Sequence, residues 1–100
     1  MPDAPGYMQR NAARGLGLLE FAGDGLEAST VQAARRMAGG DVSDRKARLM
    51  GPWFARHRGD LSGRQARAYL SGDSDRPSPG QVAWLLWNGD ITGDVMRAAR

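Results

Sequence analysis

His57 is the only histidine in the chain and the first residue to consider for chemistry. An imidazole can transfer protons near neutral pH or bind a metal ion, but both roles need partners at suitable spacing. The chain has no cysteine and no second histidine for a metal site, and no serine motif places a nucleophile beside this ring. At the end of an apolar helical stripe, His57 is predicted to be a hydrogen-bonded packing residue.

Two short patterns resemble ligand-binding loops but lack essential parts. Gly15-Leu16-Gly17 has neither a preceding strand nor the third glycine of a dinucleotide-binding loop. Asp73-Ser74-Asp75 begins like a calcium loop, but Arg76-Pro77 interrupts the ligand spacing and no glutamate stands at the twelfth position. The sequence therefore predicts no catalytic residue, no metal site, no cofactor and no small-molecule substrate. We expect a protein that is not an enzyme.

Basic residues are concentrated in the middle of the chain. The whole chain has net charge +3, but residues 35–67 contain nine basic and three acidic side chains, so this segment is +6 and the remainder is −3. Arginine suits both phosphates and carboxylates, so the segment could contact nucleic acid or an acidic protein face. Alternatively, these side chains only form the solvent-exposed faces of amphipathic helices. The candidate contacts are Arg35, Arg36, Arg45, Lys46, Arg48, Arg56, Arg58, Arg64 and Arg67.

The chain is predicted to be one all-α domain, residues 1–100, of five or six short helices around a Trp-rich C-terminal helix. A length of 100 residues suits a single domain, and runs of alternating β-branched residues are almost absent. Residues 1–6 are predicted to be a flexible tail without a secretory signal. No segment approaches the roughly 20 apolar residues of a membrane span, so no membrane partner is expected.

Apolar residues three and four apart, together with glycine stops, predict the first helices. The first covers residues 7–22, and the second starts at Leu26 or Ser29 and ends at Ala38. The third runs from a Ser43 cap to His57, with a kink or break at Gly51-Pro52. A short fourth helix is predicted after a Ser62 cap.

The segment Ser78–Asp90 is predicted to be a short helix that the rest of the protein surrounds. Ser78 can cap it, Pro79 suits its first turn, and Gly89 can close it in the left-handed conformation. Its apolar side chains point in every direction around the axis. A last helix capped by Thr92 would follow. The predicted core is Leu16, Leu19, Val31, Met37, Leu49, Trp53, Phe54, Val82, Trp84, Leu85, Leu86 and Trp87.

Four blocks of the sequence resemble a small helical module of tailed bacteriophages, over about residues 8–94. The blocks are Asn11–Leu16, Val31–Arg35, Trp53–His57 and Ser78–Asp90. Modules similar to this one occur alone or beside head-morphogenesis proteins such as prohead proteases, and no catalytic residue can be carried over from them. The chain departs from the module at Gly51-Pro52, where the module looks like an uninterrupted helix, and at Arg58-Gly59-Asp60, where it looks more acidic.

The resemblance implies a virion protein that is made in the host cytoplasm and acts in head morphogenesis. We expect a non-enzymatic structural or assembly protein, associated with the capsid as a cement, decoration or accessory subunit. Its partners would be capsid or other virion proteins. Two alternatives remain open, namely an arginine-rich helical module that binds DNA or RNA, and a phage-encoded regulator or inhibitor of a host protein.

Overall fold

Five α-helices form the part of the chain that the computed structural model describes, residues 6–23, 26–87, 89 and 91. The helices are α1 Gly6–Leu16, α2 Ala28–Ala38, α3 Asp44–His57, α4 Arg64–Ser71 and α5 Pro79–Leu86. Short 3-10 helices at Leu19–Phe21 and Arg58–Leu61 follow α1 and α3. These residues contain no β-strand, and the predicted all-α class is confirmed.

Two predicted segments fall largely outside the described residues. Of the predicted N-terminal tail only Gly6 is described, and it is the first residue of α1. The predicted last helix with its Thr92 cap lies wholly outside them. Among the residues that are described, no helix has the length and apolar content needed to cross a bilayer.

The helix α5 lies at the centre of the core. Five of its side chains, four of them apolar, are at most 1% exposed. Both α1 and α2 pack against it, and α3 places the rings of Trp53 and Phe54 against Trp84. An eight-residue helix with no polar face is stable only when other elements cover it on all sides. The prediction that protein surrounds this helix is confirmed for the apolar side chains Val82, Trp84, Leu85 and Leu86, whereas Pro79 is exposed and Ala83 is partly buried.

The start of α5 is held by a capping box, as its Ser-Pro-Gly-Gln sequence allows. The Ser78 hydroxyl accepts a hydrogen bond from the Gln81 amide at 3.1 Å, and the Gln81 side chain accepts one from the Ser78 amide at 2.8 Å. Gln81 is fully buried, and its Nε2 also donates to the Ala66 carbonyl of α4 at 3.0 Å. One side chain therefore caps α5 and joins it to α4.

The packing of the core leaves room only for a glycine at position 89. Its amide donates to the Trp84 carbonyl at 2.7 Å, which holds the chain against the core. A Cβ atom at this position would lie 2.6 Å from Trp84 Cε3 and 2.7 Å from Phe54 Cε1. Gly89 was predicted to close α5 by its left-handed conformation, whereas its described contacts show that its small size is what the core requires.

The first helix ends earlier than predicted. Instead of continuing to Ala22, α1 stops at Leu16, and the chain turns into the 3-10 helix. Glycine has a low helix propensity, so Gly15 and Gly17 weaken the last turn. A Cβ on Gly15 would lie 2.9 Å from the backbone nitrogen of Leu86, so this glycine permits the close approach of α1 to α5.

The third helix is continuous through Gly51-Pro52, so of the predicted kink or break the break is wrong. A residue before proline is driven out of the helical conformation partly by its Cβ, which Gly51 lacks. Pro52 is exposed on the outer side of the helix. The predicted Ser43 cap is confirmed, because its hydroxyl accepts from the Lys46 amide at 3.1 Å. The predicted Ser62 cap is wrong, since the N-cap of α4 is Gly63.

Leu49 is the clear error in the predicted core, because its side chain is 44% exposed. The neighbouring elements cover the side of α3 that carries Met50 and Trp53, and Leu49 lies beyond that side. Among the other predicted core residues, Leu16, Leu19 and Trp87 are partly buried against the core. Val31 is partly buried too, outside that cluster. Buried apolar residues that the prediction omitted are Ala12, Ala22, Ala34, Val42, Met50, Ala66 and Ile91.

The steric role of Gly89 can be tested by adding a methyl group. We expect Gly89→Ala to lower the free energy of unfolding by about 1–3 kcal/mol, because the ring atoms of Trp84 and Phe54 cannot move away freely. Chemical denaturation measures the change. The matched control is Gly59→Ala, where a Cβ meets nothing within 4 Å and the change should stay within about 0.5 kcal/mol. Equal stabilities of the two variants would contradict the steric role.

Candidate functional site

Four side chains form a stack along one side of α3. The ring of Trp53 is parallel to His57 at a centroid distance of 4.2 Å and to Trp87 at 4.8 Å. The Lys46 ammonium lies 3.1 Å from the centroid of the Trp87 ring. Because positions 46, 53 and 57 share one side of the helix, Trp87 from the end of α5 enters between Lys46 and Trp53. The faces of both indoles are therefore occupied within the chain.

Lys46 is the only lysine of the chain, and its surroundings change the pKa of its amine. Burial lowers the pKa of Lys46 from 10.5 to about 8, while the negative charge of Glu27 acts in the opposite direction. A cation over an indole face is stabilised by about 0.5–2 kcal/mol. The predicted contact residue Lys46 is thus engaged with Trp87 in the folded protein.

The other end of the stack is held by hydrogen bonds. His57 Nδ1 lies 3.1 Å from Asp60 Oδ2, and the His57 carbonyl accepts a bond from Trp84 Nε1 at 2.9 Å. A Cβ on Gly80 would lie 2.7 Å from the Asp60 Cβ, so Asp60 also sits tightly against the first turn of α5. The prediction of His57 as a hydrogen-bonded packing residue is confirmed. Within the described residues, no Ser, Thr or Tyr hydroxyl bonds to its ring.

An open groove of about 550 Å³ lies beside this stack. Its walls come from the segment before and at the start of α2, from α3, and from both ends of α5. The lining is mostly apolar, with Glu27, Arg56, His57 and Asp60 as its charged or titratable members. The apolar lining residues are Ala22, Leu26, Leu49, Trp53, Pro79, Ala83 and Trp87. In the described part of the chain, no group of three or more His, Asp or Glu residues could hold a metal ion.

The groove charges differ in whether they have partners. Asp60 bonds to His57, and Glu27 acts electrostatically on Lys46. Arg56 has no carboxylate partner among the described residues. The groove therefore combines internally compensated acids with an arginine that is available for an external contact.

The predicted basic contacts occupy several elements. All eight arginines are exposed, whereas Lys46 is partly buried. Arg36 forms an ion pair with Asp41 at 2.7 Å, next to Arg35 at the end of α2. The remaining arginines are Arg45, Arg48 and Arg56 on α3, Arg58 in the following 3-10 helix, and Arg64 and Arg67 on α4.

Three of these arginines share the outer side of α3. At 3.6 residues per turn, Arg45, Arg48 and Arg56 fall within an arc of about 80°. The exposed Leu49 lies at the edge of this arc, between Arg45 and Arg56 along the helix and next to the groove. We call the surface of Arg45, Arg48, Leu49 and Arg56 the α3 ridge. Its three guanidiniums have no carboxylate partner among the described residues.

The groove was not predicted from the sequence, because Leu49 was assigned to the core and Lys46 to the exposed contact residues. Lys46, Trp53 and His57 are spaced by seven and four residues, which places them on one side of a helix. That spacing was visible in the sequence and could have predicted a cation beside the aromatic stripe. The contribution of Glu27 and Asp60 had no sequence signal, because both come from segments outside α3.

Comparison with known proteins finds no matching family model, curated protein or solved structure. The resemblance to a phage module therefore stays a prediction. The groove and the α3 ridge are the features of the molecule that indicate a function.

The perturbed charge of Lys46 predicts a pH dependence of stability. Below about pH 8 both the folded and the unfolded chain carry this proton, so the cost of burying the charge is fully present. Between about pH 8 and 10.5 only the unfolded chain keeps the proton, so the free energy of unfolding should rise with pH. Denaturation of the protein and of Lys46→Met across this range measures the difference.

The single lysine also allows a direct titration. In protein labelled with ¹³C at lysine, one side-chain NMR signal should shift with a midpoint near pH 8. Glu27→Gln should lower that midpoint further, because the carboxylate favours the charged amine. A midpoint near 10.5 in the folded protein would show that the amine is solvated, contrary to the described packing.

Proposed function

We propose that this chain is a non-enzymatic protein-interaction subunit of a bacteriophage particle, associated with the capsid as a cement, decoration or head-assembly accessory protein. The observation that carries the interaction role is the open apolar groove beside the α3 ridge. The phage setting comes from the sequence resemblance. In this role the protein is made in the host cytoplasm and ends in the virion.

The groove supports protein contacts because it offers apolar area next to charge. Leu49 is exposed, and the aromatic residues Trp53 and Trp87, which stack on each other, also line the groove. Protein interfaces commonly combine a buried apolar centre with arginine and aromatic anchors. The rigid stack also supports the role, because a preorganised surface loses little side-chain entropy on binding.

The titratable groups of the groove support a binding role over catalysis. His57 is stacked on Trp53 and bonded to Asp60, so its ring is restrained by packing. A hydrolytic site would add a nucleophile in hydrogen-bond reach of the histidine. Thr30, which lines the groove, has no hydrogen bond to His57 within the described residues.

Mass spectrometry of purified phage particles tests the particle assignment. We expect the chain to be present in a fixed stoichiometric ratio to the major capsid protein, and to remain bound after density-gradient purification. Other proteins abundant in infected cells serve as the control for carry-over. Absence from particles, together with abundance in the infected cytoplasm, would overturn the assignment and favour a regulator or inhibitor of a host protein.

A second candidate function is nucleic-acid binding, which the three arginines within one arc of α3 favour. If these arginines contact phosphates, affinity for duplex DNA should fall steeply with salt. We expect Arg48→Gln to reduce the slope of log affinity against log salt by about one unit. Titrations followed by fluorescence anisotropy measure both quantities. Absent or salt-insensitive binding would remove this candidate.

A further inference from the structure

The α3 ridge and the groove form one continuous surface. Leu49 belongs to both, because it lines the groove and is flanked on the helix by Arg45 and Arg56. Leu49 is exposed between two charged side chains and is not part of the core. The acidic and basic side chains of this surface also differ in their partners. Asp60 bonds to His57, whereas the ridge arginines have no carboxylate partner among the described residues. The surface therefore offers an apolar contact bordered by uncompensated positive charge.

We infer that this surface binds an acidic amphipathic helix of a partner protein. The inference rests on the proposed interaction role and specifies its partner. Apolar side chains of the partner would lie on Leu49 and enter the groove near Trp53 and Ala83, while Asp or Glu side chains would pair with the ridge arginines. Arginine binds carboxylates with paired, charge-assisted hydrogen bonds, so the charges are complementary.

The spacing of the ridge sets the size of the partner segment. Arg45 and Arg56 are 11 residues apart along α3, which corresponds to about 16 Å. A helix of about three turns matches that distance and presents side chains at i, i+3, i+4 and i+7 to a groove. The partner segment is therefore short, with acidic residues on one border of its apolar face.

The same surface is poorly suited to single-stranded nucleic acid. Bases bind single-stranded recognition surfaces by stacking on open aromatic faces. Here Trp53 is covered by His57 and Trp87, and Trp87 is covered on its other face by Lys46. Leu49 in the ridge adds apolar contact that a phosphate backbone does not use.

Selection from a displayed library of random peptides, about 16 residues long so that three helical turns fit, tests the inference. The target is the immobilised full chain. We expect enriched peptides with net negative charge and apolar residues at helical spacing. Synthetic copies of these peptides should bind with affinity that falls with added salt, as measured by fluorescence anisotropy.

Variants of the target locate the binding surface. Leu49→Glu should weaken binding of the enriched peptides by about tenfold or more, because it removes the apolar contact and repels acidic residues. Arg56→Gln should weaken it too. The matched control Arg64→Gln changes an exposed arginine of α4 by the same charge, and binding should stay within about twofold. All three positions are solvent-exposed, and circular dichroism melting checks that each variant is folded.

Several results would overturn the inference. No enrichment, enrichment of neutral or basic peptides, or equal binding to Leu49→Glu would each exclude an acidic helix on this surface. Salt-sensitive binding of an oligothymidylate of about 20 nucleotides, lost in Arg56→Gln and kept in Leu49→Glu, would instead identify nucleic acid as the ligand. Particle mass spectrometry is independent of these outcomes, so failure of this surface and failure of the virion role are distinguishable.

Discussion

The buried indole of Trp84 is the constraint on which the rest of the structure depends. It is fully shielded from solvent, packs on Phe54 with a centroid distance of 4.8 Å, and donates its only hydrogen-bonding group to the carbonyl of His57. An unpaired indole N–H in this position would be costly, so the bond fixes the end of α3 against α5. Trp87, three residues further along, is then directed to the side of α3 where Lys46 and Trp53 receive it.

This arrangement separates compensated from uncompensated charge across a single helix. On the inner side of α3, Lys46 and His57 are placed on aromatic rings and face carboxylates from neighbouring segments. On its outer side, the ridge arginines have no such neighbours among the described residues. The inner side chains therefore contribute to the packing of the chain with itself, whereas the outer arginines are free to contribute to association. The groove lies at the boundary between these two regions.

Some local features of the structure were predictable from sequence, although the predicted Ser62 cap and the break at Gly51-Pro52 were wrong. Features that depend on neighbouring elements were harder to predict. The caps at Ser43 and Ser78 were predictable because both are decided within one helical turn. Leu49 was predicted to be buried and Lys46 to be exposed, whereas Leu49 is exposed and Lys46 packs on Trp87. Which side of α3 is buried depends on where Trp87 of α5 contacts it. The small size required at Gly89 depends on two rings that come from α3 and α5, so no local pattern could show it.

The stacking of Trp53 on Trp87 also has an optical consequence. Two indole rings at a centroid distance of 4.8 Å and an interplanar angle of 13° are close enough for their electronic transitions to couple. The contribution of the pair to the near-ultraviolet circular dichroism should therefore change when the two rings move apart. Because Trp87 lies at the end of α5 and Trp53 lies in α3, this signal would report on the contact between these two elements.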